Sequence, residues 1–262
     1  MSGRVALVGA GPGDVELMTL KGLRLLRAAD VVVFDRLAPC EALEEARPDA
    51  VLIDVGKVPG HHAVPQEQIN ELLVEHALAG RRVVRLKGGD PYLLGRGGEE
   101  VEACRAAGVA VEVVPGVSSA FSVPAAAGIP VTHRGLARSV TVLTGHEDLG
   151  PDRLAALAAL GGTIVVLMGV ARLPRLVAGL AAAGLPADTP VAVVERGWTD
   201  TQRTTVGDLA GIADAVAARE VRSPAIIVVG AVAALADDPT ANVSDGVELP
   251  PVQLPDPAEA FG

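Results

Sequence analysis

The chain has 262 residues, half of them apolar, a net charge of −10, and only 3 Phe, 1 Trp and 1 Tyr. That length suits one large or two modest domains, with a core built from Val, Leu, Ile and Ala. The acidic balance argues against nucleic acid as the main partner. No apolar run reaches the roughly 20 residues of a membrane span, and the N-terminus carries no signal-peptide pattern.

Strands are predicted at Arg4–Val8, Val31–Asp35, Ala50–Ile53, Arg82–Leu86 and Ala110–Val113. A second set follows at Ser139–Leu143, Thr163–Met168, Pro190–Glu195, Arg203–Val206 and Ala225–Val229. Most of the first set are continuous apolar runs, which suits a parallel sheet covered on both faces. Between them lie helical periods. Ile69, Leu72, Leu73, His76 and Ala77 repeat at helical spacing, with Pro65 to open the helix and Gly80 to close it. Leu173, Leu176, Val177, Leu180 and Ala181 do the same, with Gly184 as the stop, and Leu209, Ile212, Ala213 and Val216 do so again. The alternation predicts two α/β domains, 1–116 and 117–238, with the break inside the Gly- and Pro-rich stretch Pro115–Arg134. Residues 239–262 lack an apolar period and are expected to form a disordered tail. Cys40 and Cys104 suggest no disulfide framework and are read as reduced thiols of a soluble, cytoplasmic protein.

The first strand runs into Gly9-Ala10-Gly11-Pro12-Gly13-Asp14, and the second ends in Asp35. That is the outline of a dinucleotide-binding loop with an acid for a ribose hydroxyl. The details depart from it. Asp14 stands where the fingerprint wants Gly or Ala, a carboxylate there repels a pyrophosphate, and Pro12 removes an amide donor. Thr19 is the better helix N-cap. A nicotinamide-dependent dehydrogenase and a plain structural turn stay open on the loop alone.

Several segments in order carry a resemblance. VGAGPGD at 8–14 is followed by LKG at 20–22, ADVVVFDRL at 29–37, VGK at 55–57 and QEQIN at 66–70. RLKGGDP at 85–91 leads to GRGGEE at 95–100, then VPGVSS at 114–119 and GIPVTHR at 128–134. LMG at 167–169 and SPAIIVVG at 223–230 complete the set. Together they resemble the tetrapyrrole methylases over about residues 4 to 230.

The resemblance implies two α/β domains with the active site in the cleft between them, in a homodimer. It implies C-methylation by S-adenosyl-L-methionine, leaving S-adenosyl-L-homocysteine, with no metal. The substrate so implied is uroporphyrinogen III, methylated twice (at C2 and C7) to precorrin-2, in siroheme or cobalamin synthesis. A later precorrin methyltransferase is the alternative within the family. Some relatives carry an extra N-terminal module, and the first motif, beginning at Val5, is expected to leave no room for one.

By resemblance Asp35 is the proton acceptor and Lys57 the proton donor. Pro12, Gly88, Gly89, Asp90, Leu93, Ser118, Ser119, Met168, Gly197 and Ala225 would bind the cofactor. Asp35 at a strand's carboxyl end stands where open α/β sheets bind ligands. Its structural alternative is a cap, while for Lys57 it is an ordinary surface lysine and for Gly88-Gly89-Asp90 a tight turn. The substrate is a polyanion, so an acidic protein needs a locally positive cleft. Fifteen of the 22 Lys and Arg lie before residue 140. Arg85 and Arg96 are the expected carboxylate-binding residues, with Arg36, Arg134 and Arg138 behind them. Two positions depart from the family. Ser118-Ser119 replaces a frequent Thr-Ala, and Ala171 stands where Asn is common. His61-His62 has no third ligand at a known metal spacing.

Overall fold

The computed structural model describes residues 3–56 and 64–236. They form two compact units that divide between Ser118 and Ser119. Lys57, His61, His62 and the expected tail lie outside the described residues.

The first unit is built on β1 (Arg4–Gly9), β2 (Val31–Phe34), β3 (Val51–Asp54), β4 (Arg82–Lys87) and β5 (Ala110–Val114). All pair in parallel in the order β3-β2-β4-β1-β5. The connecting helices are α1 (Leu20–Ala28), α2 (Cys40–Glu44), α3 (Gln66–Leu78) and α4 (Gly97–Ala106). Successive side chains of a strand point to opposite faces, and each face here has its own core. Ala6, Val8, Val32, Val84 and Leu86 pack with Leu25 and Leu26 of α1 and Ala42 of α2. Val5, Leu7, Val31, Val33 and Val83 pack with Ile69 and Leu73 of α3 and Val101 and Cys104 of α4. The chain therefore leaves β1 toward one face and β4 toward the other. Where neighbouring strands part in this way, a crevice opens at their carboxyl ends.

Local chemistry sets the helix ends. The Thr19 hydroxyl accepts from Gly22 N at 3.1 Å and caps α1, as its sequence position predicts. Pro65 stands just before α3, and Gly80, at φ +83°, follows its end.

The second unit contains α5 (Ser119–Ala125), β6 (Val140–Thr144), α6 (Pro151–Leu160), β7 (Thr163–Leu167), α7 (Leu173–Ala182), β8 (Pro190–Glu195), β9 (Arg203–Asp208), α8 (Ile212–Ala218) and β10 (Ala225–Val229). The sheet order is β6-β7-β10-β8-β9. Only β6 and β7 pair in parallel; β10 runs antiparallel to β7 and β8, and β8 to β9. Leu173, Val177 and Leu180 of α7 and Ile212 and Val216 of α8 cover one face of this sheet. Among the described residues no helix is long and apolar enough to cross a membrane.

Candidate active site

Three loops at the carboxyl edge of the parallel sheet pack backbone against backbone. The β1 and β4 loops exchange hydrogen bonds, Gly89 N to Gly11 O at 2.9 Å and Gly11 N to Gly89 O at 3.3 Å. A Cβ on Gly9 would fall 2.5 Å from the Gly116 Cα and 2.6 Å from the Gly89 carbonyl oxygen. One on Gly116 would overlap that same carbonyl. Only glycine permits this approach. Gly11 and Gly13, at φ +73° and +68°, turn the first loop beside the buried Pro12.

Asp90 ties the cradle together. Its Oδ1 accepts from Tyr92 N at 2.8 Å and its Oδ2 from Gly116 N at 3.0 Å, so it braces its own turn and the β5 loop. A carboxylate has about four acceptor positions, and two are left for a ligand. Leu93 is half-buried on the same loop. The loop then passes through Leu94 and Arg96 at φ +56° and +57°. Left-handed backbone at non-glycine residues concentrates where function requires it.

No α-helix begins at the glycine loop. Asp14 Oδ1 accepts from Glu16 N at 2.8 Å and caps a single 3-10 turn, Val15–Leu17. The row of free amides and the positive helix end that hold a pyrophosphate are therefore absent here, which removes the physical basis of the dehydrogenase alternative.

Asp35 follows β2 at the same edge and is partly exposed. Its Oδ1 accepts from Leu37 N at 3.1 Å and Gly88 N at 3.4 Å. Its Oδ2 faces Arg85 Nη2 at 3.3 Å.

Arg85, expected to hold a substrate carboxylate, does something else. Its side chain is 4% exposed. Nε donates to Glu100 Oε1 at 2.9 Å, and Nη1 donates to Leu86 O at 2.9 Å and Val33 O at 3.4 Å. Lys87, two residues on and on the same face, donates to the same Glu100 oxygen at 3.2 Å. Gln66 Nε2 approaches that oxygen at 3.4 Å. A buried cation costs several kcal/mol unless it is paired and hydrogen-bonded, and the buried Glu100 supplies the pairing. Burial, reinforced by the Arg85 charge and opposed by Glu100, pushes the Lys87 ammonium below the usual lysine range. Arg85 thus supports Asp35 from inside the unit. Residue-by-residue reading missed Glu100 and Lys87. The signal available was Arg85-x-Lys87 inside an otherwise apolar strand, because two inward cations require a buried anion.

Arg96 remains at the surface. Nε and Nη2 donate to the two Glu99 oxygens at 2.8 and 2.7 Å, a fork-to-carboxylate pair that raises the arginine's affinity for its proton and fixes its direction. Arg36 lies beside Gly56, and Arg134 is exposed.

The second unit gathers the remaining expected positions at one end of its sheet. Leu167 pairs with Ile226 and Glu195 with Ala225, so Met168, Gly197 and Ala225 are close in register. Met168 is partly exposed at φ +58°, and Arg196 and Trp198 are at φ +46° and +66°. Ser119 opens α5, and Val123 one turn later lies against Gly197, where a Cβ would meet its Cγ1 at 2.7 Å. Trp198 Nε1 donates to Ser122 O at 2.7 Å and Gln202 Nε2 to Ala126 O at 2.8 Å, fastening the β8–β9 loop to α5. Ala171 lies in the 3-10 turn Val170–Arg172 just after Met168. Ser118 closes the first unit, half-buried.

Residues 4–213 match the family model Tetrapyrrole (Corrin/Porphyrin) Methylases. The chain is 52% identical over 239 residues to the S-adenosyl-L-methionine-dependent uroporphyrinogen III methyltransferase of Methanosarcina barkeri, covering 90% of this chain and 94% of that one. It is 50% identical over 237 residues to the siroheme synthase of Tolumonas auensis, again over 90% of this chain, but it spans only 50% of that relative's length. Among solved structures, the uroporphyrin-III C-methyltransferase of Thermus thermophilus complexed with S-adenosyl homocysteine is 44% identical. It superposes with a TM-score of 0.76 over 88% of this chain and 99% of that one. A cobalt precorrin-4 methyltransferase superposes with a TM-score of 0.79 at 28% identity, over 88% and 95%.

Proposed function

The chain belongs to the tetrapyrrole (corrin/porphyrin) methylases, and on that premise we propose that it methylates uroporphyrinogen III twice, to precorrin-2, using S-adenosyl-L-methionine. The observation that carries this reading is the 52% identity, over nearly the full length of both chains, to a relative named for that activity.

These loops carry groups suited to such a donor. Backbone at Gly9, Gly89 and Gly116 packs too closely for a Cβ at Gly9 or Gly116, which holds the β1, β4 and β5 loops together at the sheet edge where a ligand would bind. Asp90 retains acceptor positions for ammonium or hydroxyl groups beside its two backbone bonds. Pro12, Gly88 and Leu93 belong to the same loops, and Ser118 follows the β5 loop; within the second unit, Ser119, Met168, Gly197 and Ala225 are the positions proposed for the cofactor. When bound, the donor supplies an electrophilic methyl group on a sulfonium.

The protein's part is to position and to move a proton. An enamine-like pyrrole carbon is a weak nucleophile, so alignment supplies much of the rate. Loss of a ring proton after attack restores conjugation, and Asp35 would accept it; its contacts with two backbone amides and Arg85 support that reading. Such base help is typically worth about 10²–10⁴-fold. Lys57 would serve as the proton donor. Arg96, aimed by Glu99, is the side chain for a substrate carboxylate, and Arg85 acts behind Asp35 instead. We place the enzyme in the cytoplasm as a homodimer, with the product feeding siroheme or cobalamin synthesis.

The test is incubation with uroporphyrinogen III and methyl-labelled donor, read by product mass. Addition of two methyl groups is expected. The superposition on a cobalt precorrin-4 methyltransferase favours one second reading, methylation of a later precorrin. Label on that class of substrate and none on uroporphyrinogen III would select it.

A further inference from the structure

The parallel sheet buries charge on a face that is otherwise apolar. Arg85 and Lys87 project from β4 onto the face covered by α3 and α4, among Val33, Val83, Ile69 and Val101. One carboxylate meets them. Glu100, with no exposed surface, accepts from Arg85 Nε at 2.9 Å and from Lys87 Nζ at 3.2 Å through the same Oε1. Its Oε2 is buried without a partner. A fold that needed only stability would do as well or better with apolar residues here. What the arrangement accomplishes is directional: with Nε held by Glu100 and Nη1 by the Leu86 carbonyl, the rigid guanidinium fork presents Nη2 to Asp35.

We propose that Glu100 is a positioning residue of the reaction, acting on Asp35 through Arg85. The proposal rests on the reading of Asp35 as the proton acceptor. Glu100 fixes where Arg85 points: with Nε held by Glu100, the planar guanidinium can turn only with its partner, and Nη2 stays aimed at Asp35 Oδ2. Lys87 Nζ donates to the same Glu100 oxygen and holds that carboxylate in place from the other side. The other charged or titratable groups that bear on the cluster are Arg36 beside Asp35, Glu67 at the start of α3, Arg96 and Glu99 on the surface side, and Cys104 one turn along α4. None of them bridges Glu100 and Asp35 as Arg85 does.

The experiment compares Glu100→Gln, Arg85→Lys and Asp35→Asn for methyl transfer to uroporphyrinogen III across pH, and for S-adenosyl-L-homocysteine affinity by calorimetry. Glu100→Gln keeps an oxygen acceptor for Arg85 and Lys87 and removes only the charge. Its kcat is expected to fall about threefold or more, because the amide holds Arg85 less firmly than the carboxylate does, with cofactor affinity within about twofold of the parent. Arg85→Lys keeps a charge but cannot span Glu100 and Asp35. Its kcat is expected to fall about tenfold or more with affinity unchanged, and this arm decides the matter if Glu100→Gln does not fold. A Glu100→Gln or an Arg85→Lys enzyme with parental kcat, or one whose cofactor affinity falls as far as its kcat, overturns the positioning role. Asp35→Asn separates the two ideas. If that enzyme keeps parental turnover and pH dependence, the reading of Asp35 itself fails; if it loses turnover while the other variants behave as the parent, only the role of Glu100 fails.

Discussion

Asp90 Oδ2 lies 3.0 Å from the backbone nitrogen of Gly116, 26 residues further along the chain, and this hydrogen bond ties the β4 loop to the β5 loop where Gly9, Gly89 and Gly116 crowd together. The contact makes Asp90 a brace between two loops, in addition to the cofactor-binding role proposed for it. Asp90→Asn keeps the shape but leaves one of two backbone donors facing an amide NH2. Hydrogen bonds to charged groups are worth about 1.5–3 kcal/mol each, so S-adenosyl-L-homocysteine affinity should fall about tenfold or more. Turnover at saturating donor should fall less. Calorimetric titration alongside steady-state kinetics checks both, and unchanged affinity would remove Asp90 from the cofactor site.

Much of this was legible before the fold was known. All ten strands lie where their apolar runs predict, because a buried parallel strand needs a continuous run and a half-buried one an alternating run. Their ends moved by a residue or so: β1 continues to Gly9, where pairing with Lys87 persists. Leu209 looked like the first turn of a helix but is a buried loop residue ahead of α8, since Gly211 intervenes. Helix α5 gave no signal because Pro124 lies inside it. The mixed pairing of the second sheet was also hidden, since strand direction is set by connections and leaves no periodicity. Motif order also brings the glycines, Asp90 and Asp35 to one edge of the parallel sheet, where the structure places them; their roles stay proposals. Glu100 could not be read this way, because its meaning depends on α4 lying over β4.

The glycine contacts yield a paired stability prediction. A methyl group on Gly116 has nowhere to go except into backbone. Overpacking of this kind costs about 1–3 kcal/mol, so Gly116→Ala should lower Tm by several degrees. Gly98, in the first turn of α4, has nothing within 4 Å of a Cβ and an ordinary φ. Gly98→Ala should therefore stabilise by about 0.5 kcal/mol through lost freedom of the unfolded chain. Thermal unfolding of the two variants should move in opposite directions. A destabilised Gly98→Ala would show that the helix start is not as open as its surroundings imply.

Acid sensitivity has an identifiable contributor at the start of β2. Asp30 accepts from Arg82 N, Nε and Nη2 at 2.9, 3.0 and 2.7 Å, and from Arg47 Nη1 at 3.1 Å. The Arg82 hydrogen bonds hold its carboxyl below the usual carboxylate range. The unfolded chain therefore takes up this proton at a higher pH than the native state does. The resulting stability is fully present above the unfolded value near ~3.9 and is lost as pH falls through the lower native value. Asp30→Asn should cost about 1 kcal/mol at neutral pH, the upper end for a partly exposed pair, and progressively less toward pH ~3. Urea titrations of both proteins across that range give the comparison; a constant gap would assign the loss to packing instead of charge.

Trp198, the only tryptophan in the chain, lies beside positions of the second unit that are proposed to hold the cofactor. Its indole nitrogen donates to Ser122 O at 2.7 Å, and the residue is 37% exposed. It directly follows Gly197, which lies against Val123 of the helix opened by Ser119. If Ser119 and Gly197 both hold the cofactor, binding must alter the surroundings of the indole, whose emission responds to solvent exposure and to its N–H partner. Titration with S-adenosyl-L-homocysteine should change the fluorescence saturably, at the Kd found by calorimetry, and Trp198→Phe should abolish the signal. The substitution removes the bond to Ser122, so its affinity should fall modestly, by roughly fivefold for a net hydrogen bond of about 1 kcal/mol. A chain that binds the ligand calorimetrically while its fluorescence stays flat would place the cofactor away from Gly197, leaving Met168 and Ala225 without the neighbour their strand register supplies.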